Sequence, residues 1–120
     1  MDDNNIVLQK SKDFAIRIIK LYNYLKDNKN EFILSKQIVR SGTSIGANIR
    51  EAVRAFSKAD FSYKMNIALK ESNETEYWLE LLYETGYIKE NEFQSLYDDC
   101  CELSKILTAI VKSSRIYDEK

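Results

Sequence analysis

Histidine and proline do not occur in the 120-residue sequence, glycine occurs three times and cysteine twice. Each shortage excludes something. Without histidine there is no imidazole to act as general base near neutral pH, which removes the serine-histidine and cysteine-histidine nucleophile pairs. Di-metal carboxylate bundles built on Glu-x-x-His pairs go with them. Cys100 and Cys101 are neighbours, about 100° apart if helical, and form neither a disulfide framework nor a zinc ligand set. Apolar runs extend over a few residues, far below the ~20 that cross a bilayer. The opening "MDDNNIVLQK" begins acidic and turns polar again, unlike a signal peptide. A non-enzymatic, cytoplasmic protein with no cofactor, no metal and no membrane association is the expectation.

What is present is helical patterning. Lacking proline and nearly lacking glycine, the chain has few helix breakers, and its 44% hydrophobic and 31% charged residues suit one soluble domain over residues 1–120. Apolar or small residues recur three and four apart in four segments, at about 7–27, 35–56, 58–85 and 89–115. Short connections between them make neighbours antiparallel. The expected fold is an all-α, up-down-up-down antiparallel four-helix bundle.

The first segment turns Leu8, Ala15, Ile18, Ile19, Tyr22 and Leu25 inward, and the second Ile38, Gly42, Ile45, Ile49, Ala52 and Phe56. Ser35 is the expected N-cap of the second, with Leu34 and Val39 as its hydrophobic staple. Ser57 is the expected N-cap of the third, with Asp60 three residues on and Phe56 with Phe61 as the staple. That segment buries Phe61, Met65, Ala68, Ser72, Thr75, Leu79 and Leu82, and Gly86 stands where a left-handed C-terminal residue is wanted. The fourth starts near Lys89, between Ile88 and Phe93, and faces Phe93, Leu96, Cys100, Leu103, Leu107 and Ile110 inward; "YDEK" reads as a frayed tail.

The stretch "VRSGTSIGANIREAV" holds Gly42 and Gly46 and invites comparison with a phosphate-binding loop. Such a loop needs a preceding strand, four residues between its glycines and a following Lys-Ser/Thr; here the interval is three and Ala47-Asn48 follows. Close packing of a neighbouring helix on Gly42 and Gly46 fits better, since two helical glycines cost ~1–2 kcal/mol relative to alanine and call for a compensating contact. On the opposite side Lys36, Arg40, Arg50 and Arg54 share one sector. Residues 35–56 carry those four cations against Glu51 alone, whereas 57–84 carry three lysines against six carboxylates. The basic sector suits a solvated face or the acidic helix of a neighbouring subunit, and as the other reading nucleic-acid phosphates. Away from the inner face of the third segment lie Tyr63, Ile67, Tyr77, Trp78 and Leu81, more aromatic and aliphatic surface than a solvated helix exposes. They fit an oligomer interface or a second core face.

"RSGTSIGANIREA", then "SKADF", then "IALKESNETEYWLELLYETGYI" resemble the bacterial four-helix-bundle proteins called S23 ribosomal proteins, encoded by intervening sequences in 23S rRNA genes. Ser44-Ile45, Asn48-Ile49, Ala68 to Glu71, Glu74-Thr75 and Tyr77 to Leu79 carry most of the likeness. Where many relatives read Asn-Ile-Ala-Glu-Gly, this chain reads Asn48-Ile49-Arg50-Glu51-Ala52. The resemblance implies a bundle assembled as a ring-like homopentamer, and does not imply an activity. A related bundle accompanies the reverse transcriptase of diversity-generating retroelements and contacts nucleic acid. The expected partners are therefore further copies of the chain, with either RNA or a recruited protein beyond them.

Overall fold

Four α-helices account for nearly all of the computed structural model, which describes the backbone of residues 3–118 and the side chains of 6–114. They are α1 (Asp3–Lys29), α2 (Leu34–Val53), α3 (Lys58–Glu84) and α4 (Glu90–Asp118). Each packs on its neighbour in sequence and α1 closes on α4, giving an all-α antiparallel four-helix bundle of 50 × 25 × 21 Å. No helix among the described residues is long and apolar enough to cross a membrane. Tyr117 and Asp118, expected to fray, continue α4, while Glu119 and Lys120 lie outside the described residues.

The core follows the expected stripes in α2, α3 and α4. Ile38, Ile45, Ile49 and Ala52 meet Met65, Ala68, Leu79 and Leu82, and Leu96, Cys100, Leu103, Leu107 and Val111 complete it. In α1 the stripe is turned from the expected one. Val7, Ser11, Phe14, Ile18, Leu21 and Leu25 are buried, whereas Ile19 is 44% exposed and Leu8, Ala15 and Tyr22 are only half-buried. The true row holds strict four-three spacing but has a hydroxyl, Ser11, in its apolar sequence, which hid it from hydropathy. Ser11 donates to the Leu8 carbonyl at 3.0 Å, so its burial leaves no polar group orphaned.

Small residues set the α1–α2 distance. A Cβ added to Gly42 would lie 2.8 Å from Cγ2 of Ile18, and one on Gly46 would lie 3.1 Å from Oγ of Ser11. Both glycines thus stand where α1 presses on α2. The opposite seam, between α1 and α4, is the most sparsely packed of the four. Exposed ion pairs bridge it: Lys10 to Glu102 at 2.9 Å and Arg17 to Asp99 at 2.6 Å.

Helix ends differ from expectation in one instructive place. Ser35 does not cap α2. The buried carboxylate of Glu31 accepts the N–H groups of Ile33, Leu34 and Ser35 at 3.1, 3.0 and 2.7 Å, and Ser35 donates its hydroxyl back to the Glu31 carbonyl at 2.8 Å. Three orphan donors share one anion at the positive end of the helix, which a serine hydroxyl cannot match. With Leu34 already inside the helix, the Leu34 and Val39 staple is out of register. Elsewhere Ser57 caps α3 by accepting from the Asp60 N–H at 3.0 Å. Gly86 takes φ +84°, and the bonds from its N–H to Tyr83 and from Tyr87 N–H to Leu82 close a Schellman turn.

Candidate nucleic-acid interface

The side of α2 turned from the core carries Lys36, Arg40 and Arg50, all exposed, with exposed Arg54 immediately past its last turn. Arg54 N–H donates to the Glu51 carbonyl at 3.2 Å, so the residue is the C-cap and not part of the regular helix. Cations at this end complement the helix dipole. The four fall into two pairs, because Arg40 and Arg50 are separated by about 15 Å of helix at 1.5 Å per residue.

The two pairs have different surroundings. At the first, Arg40 lies within electrostatic reach of Glu71 on α3. Burial, and then the adjacent Glu74, raise the Glu71 carboxyl above its usual value, while Lys70 and Arg40 pull it back. At the second, Arg50 and Arg54 line an open groove of about 770 Å³ together with Lys12 from α1 and Lys64 from α3. Ser11, Gly46 and Ala47 are among its other lining residues, and Glu51 and Asp60 also border it. Glu51 pairs with Lys64 at 3.5 Å. Four cations against two carboxylates leave the groove positive.

Phe56 stands on the same groove and is fully exposed. The helical spacing placed it on the inner face of the second segment. It is not there, because α2 stops at Val53 and Ser57 caps the next helix, leaving Phe56 in the connection between them. Its exposure also means that it makes no staple with Phe61. Lys12, Lys64 and Phe56 were not assigned to a binding site from the sequence. The two lysines lie on different helices from the arginines, so no one-helix projection groups them; Phe56 was readable from the Ser57 cap, which ends helical periodicity one residue before it.

The outer side of α3 presents Tyr63 and Tyr77, 63% and 54% exposed. Trp78 is half-buried, packs against the core and meets Tyr77 edge-on at 5.2 Å between ring centres. Ile67 and Leu81 are half-buried beside them. The thiols offer little chemistry. Burial pushes Cys100 up to about 12, and burial followed by the charge of Glu76 raises Cys101, so both stay protonated near neutral pH. Ser72, Ser104 and Glu76 form a chain of hydrogen bonds beside them that ties α3 to α4. No group of three or more His, Cys, Asp or Glu side chains placed to hold a metal ion occurs among the described residues.

The family model described as "23S rRNA-intervening sequence protein" matches residues 3–109, nearly the whole chain. The chain belongs to that family. A solved structure of a protein of unknown function from the S23 ribosomal protein family, from Bacteroides thetaiotaomicron VPI-5482, is 56% identical. The likeness covers 92% of this chain and 99% of that one, with a TM-score of 0.91. Among curated proteins none matches. Neither the 23S rRNA-intervening sequence family nor its S23 relative is described as an enzyme.

Proposed function

We propose that the protein is a non-enzymatic, homo-oligomeric accessory or scaffold protein that associates with RNA. The observation that carries this reading is the concentration of exposed cations on and beside α2: Lys36, Arg40, Arg50 and Arg54, joined by Lys12 and Lys64. In a chain of net charge -1 such clustering creates a local field that phosphates seek. The family's link to 23S rRNA intervening sequences supports the choice of RNA. Titration of structured RNA at about 50 and about 200 mM salt tests it, because each neutralised phosphate steepens the salt dependence. Binding weakened by salt, and weakened further by Arg40→Glu with Arg54→Glu, is the expected result. Absence of binding at low salt, or indifference to both charge reversals, refutes it.

Self-association rests on α3, whose exposed Tyr63 and Tyr77 suit the aromatic centre of an interface. A ring-like homopentamer is what the S23 resemblance implies. Light scattering at micromolar concentration should give a multiple of the monomer mass, and Tyr63→Asp with Tyr77→Asp should lower it without loss of helicity. A monomer mass for the parent protein defeats the reading. The same face supports a second reading, in which the assembled bundle recruits a protein partner and binds no nucleic acid. A pull-down from which nuclease removes nothing and protein bands remain favours that alternative.

A further inference from the structure

We propose that the α2–α3 junction is a binding site for single-stranded RNA, in which one unpaired base stacks on Phe56 while Arg50, Arg54, Lys12 and Lys64 hold the adjoining phosphates. The proposal rests on the RNA-associated reading above and assigns the place and the form of RNA.

Three observations converge on the site. Phe56 is fully exposed at the wall of the groove, in a four-residue connection held at both ends by hydrogen bonds. Arg54 and Ala55 donate to the Glu51 and Ala52 carbonyls at 3.2 and 3.0 Å on one side, and the Ser57 cap fixes the other. The ring is thus displayed on a constrained segment, so little ordering is needed when a ligand arrives. An aromatic ring standing wholly in water offers its face to a base that can stack on it.

The cations come from three elements and meet at one groove. Lys12 stands on α1, Arg50 and Arg54 at the end of α2, and Lys64 on the second turn of α3. The α1–α2 approach at Gly46 and Ser11 brings Lys12 to the arginines, so the glycine helps to build the groove. An exposed aromatic beside a positively charged channel is the combination that single-strand binders use: backbone phosphates track the charge and bases stack on the ring. In a duplex the faces of the bases are covered by their neighbours, and Phe56 would have nothing to stack upon. The carboxylates Glu51 and Asp60 border the same groove and leave it a net positive charge.

Fluorescence anisotropy with labelled oligouridine of about 12 nucleotides, within the span of known single-strand sites, is compared with an RNA duplex of equal length at low salt. The expected result is that Phe56→Ala weakens oligouridine binding about tenfold or more, the loss of one base-aromatic stack. Phe56→Trp retains it, and duplex binding is unmoved by either. Arg50→Glu with Arg54→Glu should remove oligouridine binding more completely than Lys36→Glu. Equal oligouridine affinity for parent and Phe56→Ala overturns the site, as does an equal loss for duplex and single strand. If the duplex binds and Phe56→Ala changes nothing, only this site falls; if neither RNA binds, the RNA reading falls with it. A drop in oligomer mass for Phe56→Ala by light scattering overturns the proposal in favour of a contact between copies.

Discussion

Replacing Gly42 by alanine sets two opposing effects against each other. The added Cβ would lie 2.8 Å from Cγ2, 3.0 Å from Cγ1 and 3.2 Å from Cβ of Ile18. Ile18 is fully buried and β-branched, so in α1 it is held close to one rotamer and cannot swing aside. The helices must separate instead, at about 1–3 kcal/mol for an overpacked core, offset by the ~1 kcal/mol that alanine gains over glycine in a helix. At Gly46 the new methyl meets the Ser11 hydroxyl at 3.1 Å and its Cβ at 3.5 Å, a milder contact that a shift of a few tenths of an ångström relieves. Gly42→Ala should therefore fall below Gly46→Ala by about 1–2 kcal/mol. Urea unfolding followed by circular dichroism measures both, at one protein concentration because self-association shifts the midpoint. Ile18→Ala alone should cost about 2–5 kcal/mol. On the Gly42→Ala background it should cost about 1 kcal/mol less, since the two nearest atoms are gone. Equal stability of the two alanine variants, or strict additivity with Ile18→Ala, refutes the argument that Gly42 is a steric requirement.

Glu31→Ala should destabilise the fold by about 2 kcal/mol and speed amide exchange at Ile33, Leu34 and Ser35, whose donors it strands; unchanged exchange there means the cap is replaceable by water. Cys100 gives a pH prediction. Burial raises it from 9.0 to about 12, so the folded chain holds this proton more tightly than the unfolded one. The stability it contributes is complete below pH 9 and is lost as pH rises toward 12, at about 1.4 kcal/mol per unit. Urea midpoints between those limits should fall more steeply for the parent than for Cys100→Ala, with Tyr97, also raised to about 12, common to both. Parallel curves would show that burial does not hold the thiol.

The bundle was legible because α2, α3 and α4 keep their apolar rows at helical spacing and their connections short. Hydropathy failed in α1 at Ser11, a polar residue buried where α1 lies against Gly46 of α2. The α2 start was misread for a related reason. A glutamate four residues upstream of a serine carries no local signature of a cap, and Asn30, at φ 52°, turns the chain so that Glu31 folds back over the helix end. In the candidate interface the one-helix stripe was readable, whereas the groove joining Lys12, Arg50, Arg54 and Lys64 depends on how three helices meet. Phe56 was assigned inward by extending a period past the helix that generated it.

The sparsely packed α1–α4 seam bears on how the chain assembles. Every well-packed contact joins consecutive helices, so each can dock on the one made just before it with little loop entropy to overcome. Only the α1–α4 closure must bring together distant parts of the sequence, and exposed ion pairs, typically contributing about 0–1 kcal/mol each, bridge it. As the protein emerges from the ribosome, α1 to α3 can already form a three-helix sheet of cylinders with its apolar groove open. Arrival of α4 would then fill that groove from the α3 side and bring Glu102 and Asp99 to Lys10 and Arg17. The seam is thus where the newborn bundle closes and where the mature one would first reopen.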